Sequence, residues 1–144
     1  MENNTELIVR ALIVRDRRIL VCQTEGRDYY FLPGGHVEFN ETMRASLRRE
    51  LYEEMGAILK DVQFIGGIEN LFSQDGQSHH EISFIFIADI DIKKVISRES
   101  HVSFYWFPMD KFIEANIVPP ALKDVVLQWI AEREPFFIEE GMKH

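Results

Sequence analysis

The chain has 144 residues, of which 46% are hydrophobic and 28% charged, values that suit one soluble domain with a real core. A formal net charge of −8 argues against attraction to DNA, RNA or an anionic membrane, though not against a phosphorylated small molecule carrying a divalent cation. The longest apolar run, around Ile82 to Ala88, is too short to cross a bilayer, and a lone cysteine, Cys22, fits a reducing cytoplasm.

The start, Met1-Glu2-Asn3-Asn4, has no apolar signal core, so a non-secreted protein is expected. Leu7 to Arg15 reads as a strand. Asp16-Arg17-Arg18 is a polar turn, and Ile19 to Gln23 returns as the second arm of a hairpin. A polar loop follows from Thr24 to Asp28. Tyr29 to Leu32 is aromatic and extended until Pro33-Gly34-Gly35 breaks it, and His36 to Glu38 reads as a short strand. The next element is a helix that Asn40 can cap and Gly56 can end in a left-handed conformation. Met43, Leu47, Leu51 and Met55 form its apolar stripe. Val62 to Phe72 is a strand weakened by Gly66-Gly67. Asp75-Gly76 marks a turn, and Glu81 to Ile90 reads as a central strand. Val102 to Phe107 is a further strand and Met109 to Asn116 a short helix. Pro119 to Glu132 is a helix with Leu122, Val125, Val126, Trp129 and Ile130 on one face. The tail after Pro135 carries no clear signal. Without repeats or linkers, residues 1–144 read as a single domain, a mixed sheet covered by helices in an α/β/α sandwich.

The chemistry concentrates between Gly35 and Gly56. Glu50, Glu53 and Glu54 stand at i, i+3 and i+4 of one helix, so they fan over about 100° of its surface beside the apolar stripe. Hard cations such as Mg²⁺ and Mn²⁺ take oxygen ligands, and such a fan at the rim of a core suits them. Taken alone, a glutamate pair is more often a solvated helix face, and Arg49 with Glu53 could be a simple i, i+4 surface pair. The preceding Leu-Pro-Gly-Gly and Glu41 at a fixed offset have no role on such a face. Gly34-Gly35 lets the backbone approach a ligand closely and leaves amides free for phosphate oxygens.

Gly35-x5-Glu41-x7-Arg49-Glu50-Leu51-x-Glu53-Glu54-x-Gly56 resembles the Nudix box, the signature of the Nudix (MutT-like) hydrolases. Two positions depart from the family pattern. Ala57 replaces a large aliphatic residue, with Ile58 as the expected compensation, and Asn40 stands where glycine is frequent. The resemblance implies the Nudix α/β/α fold with a mixed central sheet. It also implies hydrolysis, with Mg²⁺ or Mn²⁺, of a diphosphate bond in a nucleoside diphosphate linked to another moiety. By position Glu50, Glu53 and Glu54 would be the metal ligands, and Arg49 would orient a box glutamate. Glu41 and the Gly35 carbonyl would support or join the metal shell. The resemblance leaves the general base open between a box glutamate and a later loop. It adds Glu99, ahead of Trp106, as a further ligand.

Outside the box, Glu81 is a second candidate for that added ligand, His79 and His80 beside it for phosphate contact, Arg27 for charge balance, and Tyr29, Tyr30, Phe31 and Phe72 for stacking on a base. For each of these the ordinary alternative is a solvated loop residue or strand packing. The family's downstream markers for ADP-ribose (a proline) and dinucleoside polyphosphates (a tyrosine) are both missing around Leu71-Phe72-Ser73-Gln74, so the sequence selects no substrate. The partner is expected to be a small, nucleotide-derived phosphate. Relatives often dimerise, but no apolar stripe here is surplus to one core. The reading from another functional class is a non-catalytic Nudix-fold sensor that binds a nucleotide; retention of every box carboxylate favours the enzyme.

Overall fold

The computed structural model describes residues 4–141; the polar start at Met1-Glu2-Asn3 lies outside them. The first long apolar segment divides in two. β1 spans Thr5–Leu12 and β2 spans Val14–Arg15, with the break at Ile13. β2 pairs antiparallel with β3, Arg18–Thr24, through a two-residue turn. Asp16 and Arg17 both adopt positive φ there, the pattern of a type I′ hairpin. The division sends β1 and β3 into different sheets. β4, Gly34–His36, occupies the segment expected to break the chain and pairs with β1.

Helix α1 spans Met43–Met55. Its N-cap is Thr42, whose hydroxyl accepts from the Ala45 amide at 3.1 Å. The expected cap, Asn40, instead sits in the preceding turn at φ 67, a left-handed conformation that asparagine tolerates. Gly56 ends the helix at φ 71 as its position predicts. Leu47, Leu51 and Met55 are buried, each contributing roughly 1.5–3 kcal/mol through apolar burial. Ala57 is itself buried, but Ile58 is 59% exposed and does not compensate for it. Strand alternation returns Leu59 to the core instead.

β5, Ile58–Gln74, and β6, Gln77–Asp91, form a hairpin longer than the apolar pattern indicates, because polar residues at both ends stay paired. β7 spans Val102–Pro108 and α2 spans Met109–Glu114. α3 spans Leu122–Glu132, so the helix begins after Pro119-Pro120 rather than at Pro119. The tail forms β8, Phe136–Glu140, which runs parallel along β5.

The strands make a five-stranded mixed sheet in the order β4-β1-β6-β5-β8 and a three-stranded sheet β2-β3-β7. One core gathers Val9, Ala11, Leu20, Phe86 and Ala88 under Leu47, Leu51 and Met55 of α1. The other gathers Leu12, Ile19, Val21, Ile68 and Ile85 under Phe112 of α2 and Val125, Val126 and Trp129 of α3. Successive residues of β1 and of β3 enter opposite cores, so helices cover both faces of a mixed α/β sandwich.

Candidate active site

α1 leads its carboxylates back toward the Gly34-Gly35 strand, and Arg49 organises them. Its Nε and Nη2 donate to the two oxygens of Glu41 at 2.8 and 2.9 Å. Nη1 donates to Glu50 Oε1 at 2.9 Å and to Glu53 Oε2 at 3.3 Å. Nη2 also donates to the His36 carbonyl at 3.2 Å, which ties the helix to β4. The buried Ser46 hydroxyl donates to the same carbonyl at 3.1 Å. The Arg49 hydrogen bonds hold the Glu41 carboxyl down at about 2, and the carboxylates raise the Arg49 pKa in turn.

The three helix glutamates sit in different environments. Glu53 is exposed at the rim. Glu50 packs over Gly35, where a Cβ would fall on its carboxylate; the missing side chain makes that close approach possible. Glu54 is 8% exposed, and its carboxyl is pushed up to about 8. Burial is the main cause, the charges of Glu50 and Glu99 add to it, and Arg10 and a Gly34 backbone hydrogen bond oppose it. Glu99 lies in the loop ahead of β7, where its amide bonds Ser97 Oγ at 3.2 Å. The Arg98 amide donates to the Glu54 carbonyl at 2.8 Å, holding that loop against the end of α1.

The donor set fits a hard divalent cation in its chemistry. It consists of carboxylate oxygens whose charges work against one another around the buried Glu54. Arg49 Nη1 bridges Glu50 and Glu53, Glu54 stands within the influence of Arg10, and among the described residues the three carboxylates do not converge within 4.8 Å of one another.

A cleft of about 590 Å³ has Arg10, which acts on Glu54, in its wall, while none of the helix carboxylates lines it. Tyr29, Phe31 and Phe72 line it together with Arg10, Asn70, Gln74 and Glu81. Three sequence candidates, Tyr29, Phe31 and Phe72, therefore share a wall, while Tyr30 packs against the core, and Gln74 Nε2 donates to the Tyr29 hydroxyl at 3.1 Å. Glu81 also reaches the cleft; burial raises its pKa, with Arg10 opposing. His80 does not join it. Its ring pairs with Glu69 at 2.8 Å, on the opposite face of β6 from Glu81. Arg27 is exposed and committed to Asp75 at 3.1 Å.

Arg10 is the residue that sequence reasoning passed over. It lines the cleft, donates to the Leu32 carbonyl at 3.1 Å, stacks over Phe31 at 5.4 Å, and acts electrostatically on both Glu54 and Glu81. Its signal was available: a full charge inside the apolar strand Leu7 to Ala11.

Comparisons with known proteins agree with this architecture. The family model described as NUDIX domain matches residues 5–129. An ADP-ribose pyrophosphatase of Methanocaldococcus jannaschii is 34% identical over 85 residues, covering 57% of this chain and 49% of that protein. The chain therefore spans about half the length of this curated relative. A mutator MutT protein from Bacillus halodurans superposes with a TM-score of 0.78 at 18% identity, covering 92% of this chain and 86% of that one. A MutT NUDIX hydrolase from Burkholderia pseudomallei superposes with a TM-score of 0.64 at 25% identity, covering 75% and 86%.

Proposed function

The chain belongs to the Nudix family, and from that premise we propose that it is a metal-dependent pyrophosphohydrolase acting on a nucleoside diphosphate linked to another moiety. The observation that carries this reading is the carboxylate helix held against Gly34-Gly35 by Arg49, with Glu50 over Gly35 and Glu54 buried beneath.

Glu50, Glu53 and Glu54 would hold Mg²⁺ or Mn²⁺, with Glu99 and the Gly35 carbonyl completing the shell. When bound, the cation supplies positive charge against the phosphate oxygens and makes water a better nucleophile. Arg49 and Glu41 fix the helix carboxylates so that they need not reorganise during the reaction. Arg10 and a Gly34 backbone hydrogen bond favour the charged form of Glu54 against its burial, which keeps it available as a ligand or as the acceptor of a proton. Water oxygen forms a new bond to one phosphorus as the bridging P–O bond breaks. The bond's electrons leave with the other phosphate, and the water proton passes to a carboxylate.

The aromatic wall of Tyr29, Phe31 and Phe72, with the amides of Asn70 and Gln74, suits a base or sugar. The relative named as an ADP-ribose pyrophosphatase makes ADP-ribose the first substrate to try. We place the reaction in a reducing cytoplasm, carried by one domain that works alone or as a homodimer on small substrates rather than nucleic acid. Among the described residues no helix is long and apolar enough to cross a membrane.

The test is a screen of purified protein with Mg²⁺ and with Mn²⁺. The panel holds nucleoside di- and triphosphates, ADP-ribose, nucleotide sugars, dinucleoside polyphosphates and capped RNA. Release of a nucleoside monophosphate or of pyrophosphate from at least one member is expected. Tight nucleotide binding with no product over hours would overturn the enzymatic reading in favour of a sensor.

A further inference from the structure

A second group of metal-ligating side chains lies on the cleft face of the large sheet. β1 and β6 run parallel with Glu6 directly opposite Glu81. His79 precedes Glu81 by two residues and so points to the same face. One donor atom from each of Glu6, His79 and Glu81 lies within 4.8 Å of the other two, and all three residues are half-buried. Among the described residues this is the three-donor group that converges so closely, and it contains no member of the carboxylate helix.

Glu6 and Glu81 bring two carboxyl groups together across neighbouring strands, and Glu6 favours the protonated form of Glu81, so a bound cation would take the place of that proton. His79 is held in place by an aromatic neighbour. Its ring stacks on Phe72 with centroids 4.9 Å apart and planes 13° apart. A fourth donor stands at the margin, His36 Nε2, 3.5 Å from Glu6 Oε2 on β4. Three strands thus deliver two carboxylates and two imidazoles to one place.

We propose that Glu6, His79 and Glu81, with His36 closing the shell, form a second divalent-cation site that takes a transition ion of the Zn²⁺ or Co²⁺ type. Imidazole among the donors turns selectivity away from Mg²⁺, which prefers oxygen and water. Tetrahedral Zn²⁺ with bonds near 2.0–2.1 Å needs donors roughly 3.4 Å apart, so side-chain rotations that move the donor atoms by about an ångström close the site without moving the strands. Because Glu81 and Phe72 line the cleft, the ion sits in its wall.

The experiment is a Co²⁺ titration followed by the visible d–d band, in the intact protein and in the double variant Glu53→Gln/Glu54→Gln. The double variant separates this site from the carboxylate helix, so failure of either reading leaves the other standing. It should retain one equivalent of Co²⁺ with an intense band indicating four-coordination. His79→Gln and Glu6→Gln, each added to that background, should weaken binding at least about tenfold and lower the band intensity. Circular dichroism of each variant establishes that it is folded, and the two substitutions serve as independent tests. Absence of the band in the double variant, or an undiminished band in folded His79→Gln and Glu6→Gln proteins, would overturn the proposal.

Discussion

Arg49 grips Glu41 with a two-pronged hydrogen bond, Nε to Oε2 at 2.8 Å and Nη2 to Oε1 at 2.9 Å, across the turn that leads into α1. The same guanidinium reaches Glu50 and Glu53, so one planar cation sets the positions of three carboxylates. Lysine keeps the charge but offers no fork. Arg49→Lys is expected to reduce turnover or metal affinity about 10- to 100-fold while the far-UV circular dichroism spectrum is preserved. Steady-state kinetics with Mg²⁺ titration measures this, and wild-type values in the lysine variant would show that the fork is dispensable.

Gly35 provides the next prediction. A Cβ there meets the Glu50 carboxylate rather than a backbone wall, so Gly35→Ala displaces a proposed ligand without blocking the fold. Calorimetric titration with Mn²⁺ should show weakened binding, by about tenfold or more, since displacing a ligand costs at least as much as losing a supporting contact. Unchanged affinity would remove Glu50 from the metal shell.

Glu54 makes the metal-free protein sensitive to alkali. Its carboxyl is raised to about 8 when folded, against an ordinary value of 4.5. The folded state therefore binds more protons between those values, and this group's stability contribution is full below about 4.5 and lost as pH rises through about 8. The slope attributable to it is at most about 1.4 kcal/mol per pH unit. Urea unfolding in EDTA at pH 5 to 9 should show a decline in wild type that Glu54→Gln flattens. Parallel wild-type and variant curves would contradict the environment described for Glu54. Glu41 acts in the opposite sense. Its lowered carboxyl contributes stability above about 4.5 that is lost as pH falls toward 2.

Trp129 of α3 is buried, and its indole nitrogen has no hydrogen-bond partner among the described residues. Phenylalanine removes that donor along with some volume, two effects that oppose each other. Trp129→Phe should change stability by less than about 1.5 kcal/mol, while Trp129→Ala should cost about 3–5 kcal/mol through the cavity it leaves. Denaturant midpoints separate the two. A phenylalanine variant as unstable as the alanine variant would point to an unseen partner for the nitrogen.

Local pattern made much of this molecule legible. The apolar spacing of Met43, Leu47, Leu51 and Met55 placed α1, and its glutamates follow from that helix. The capping residue was misplaced because Asn40 and Thr42 are both good caps, and only the backbone shows that Asn40 turns left-handed. β8 was invisible because five residues paired parallel to β5 depend on a distant partner rather than on their own pattern. Strand parity divides the two histidine candidates in a way their adjacency in sequence hides. His80 adjoins Glu81 in sequence, but a strand sends neighbours to opposite faces, so His79 is the one beside it in space. Glu6 gains its meaning from register between strands, which no single segment encodes.

The most direct test of the metal-dependent hydrolysis proposed here uses whichever diphosphate substrate turns over fastest. Its initial rate is measured with Mg²⁺, with excess EDTA, and after Mg²⁺ or Mn²⁺ is restored, in wild type and in Glu53→Gln. The account predicts a rate that falls to background in EDTA, returns with the cation, and stays near background in Glu53→Gln at every cation concentration. A full wild-type rate in EDTA, or an undiminished rate in the variant, would contradict it.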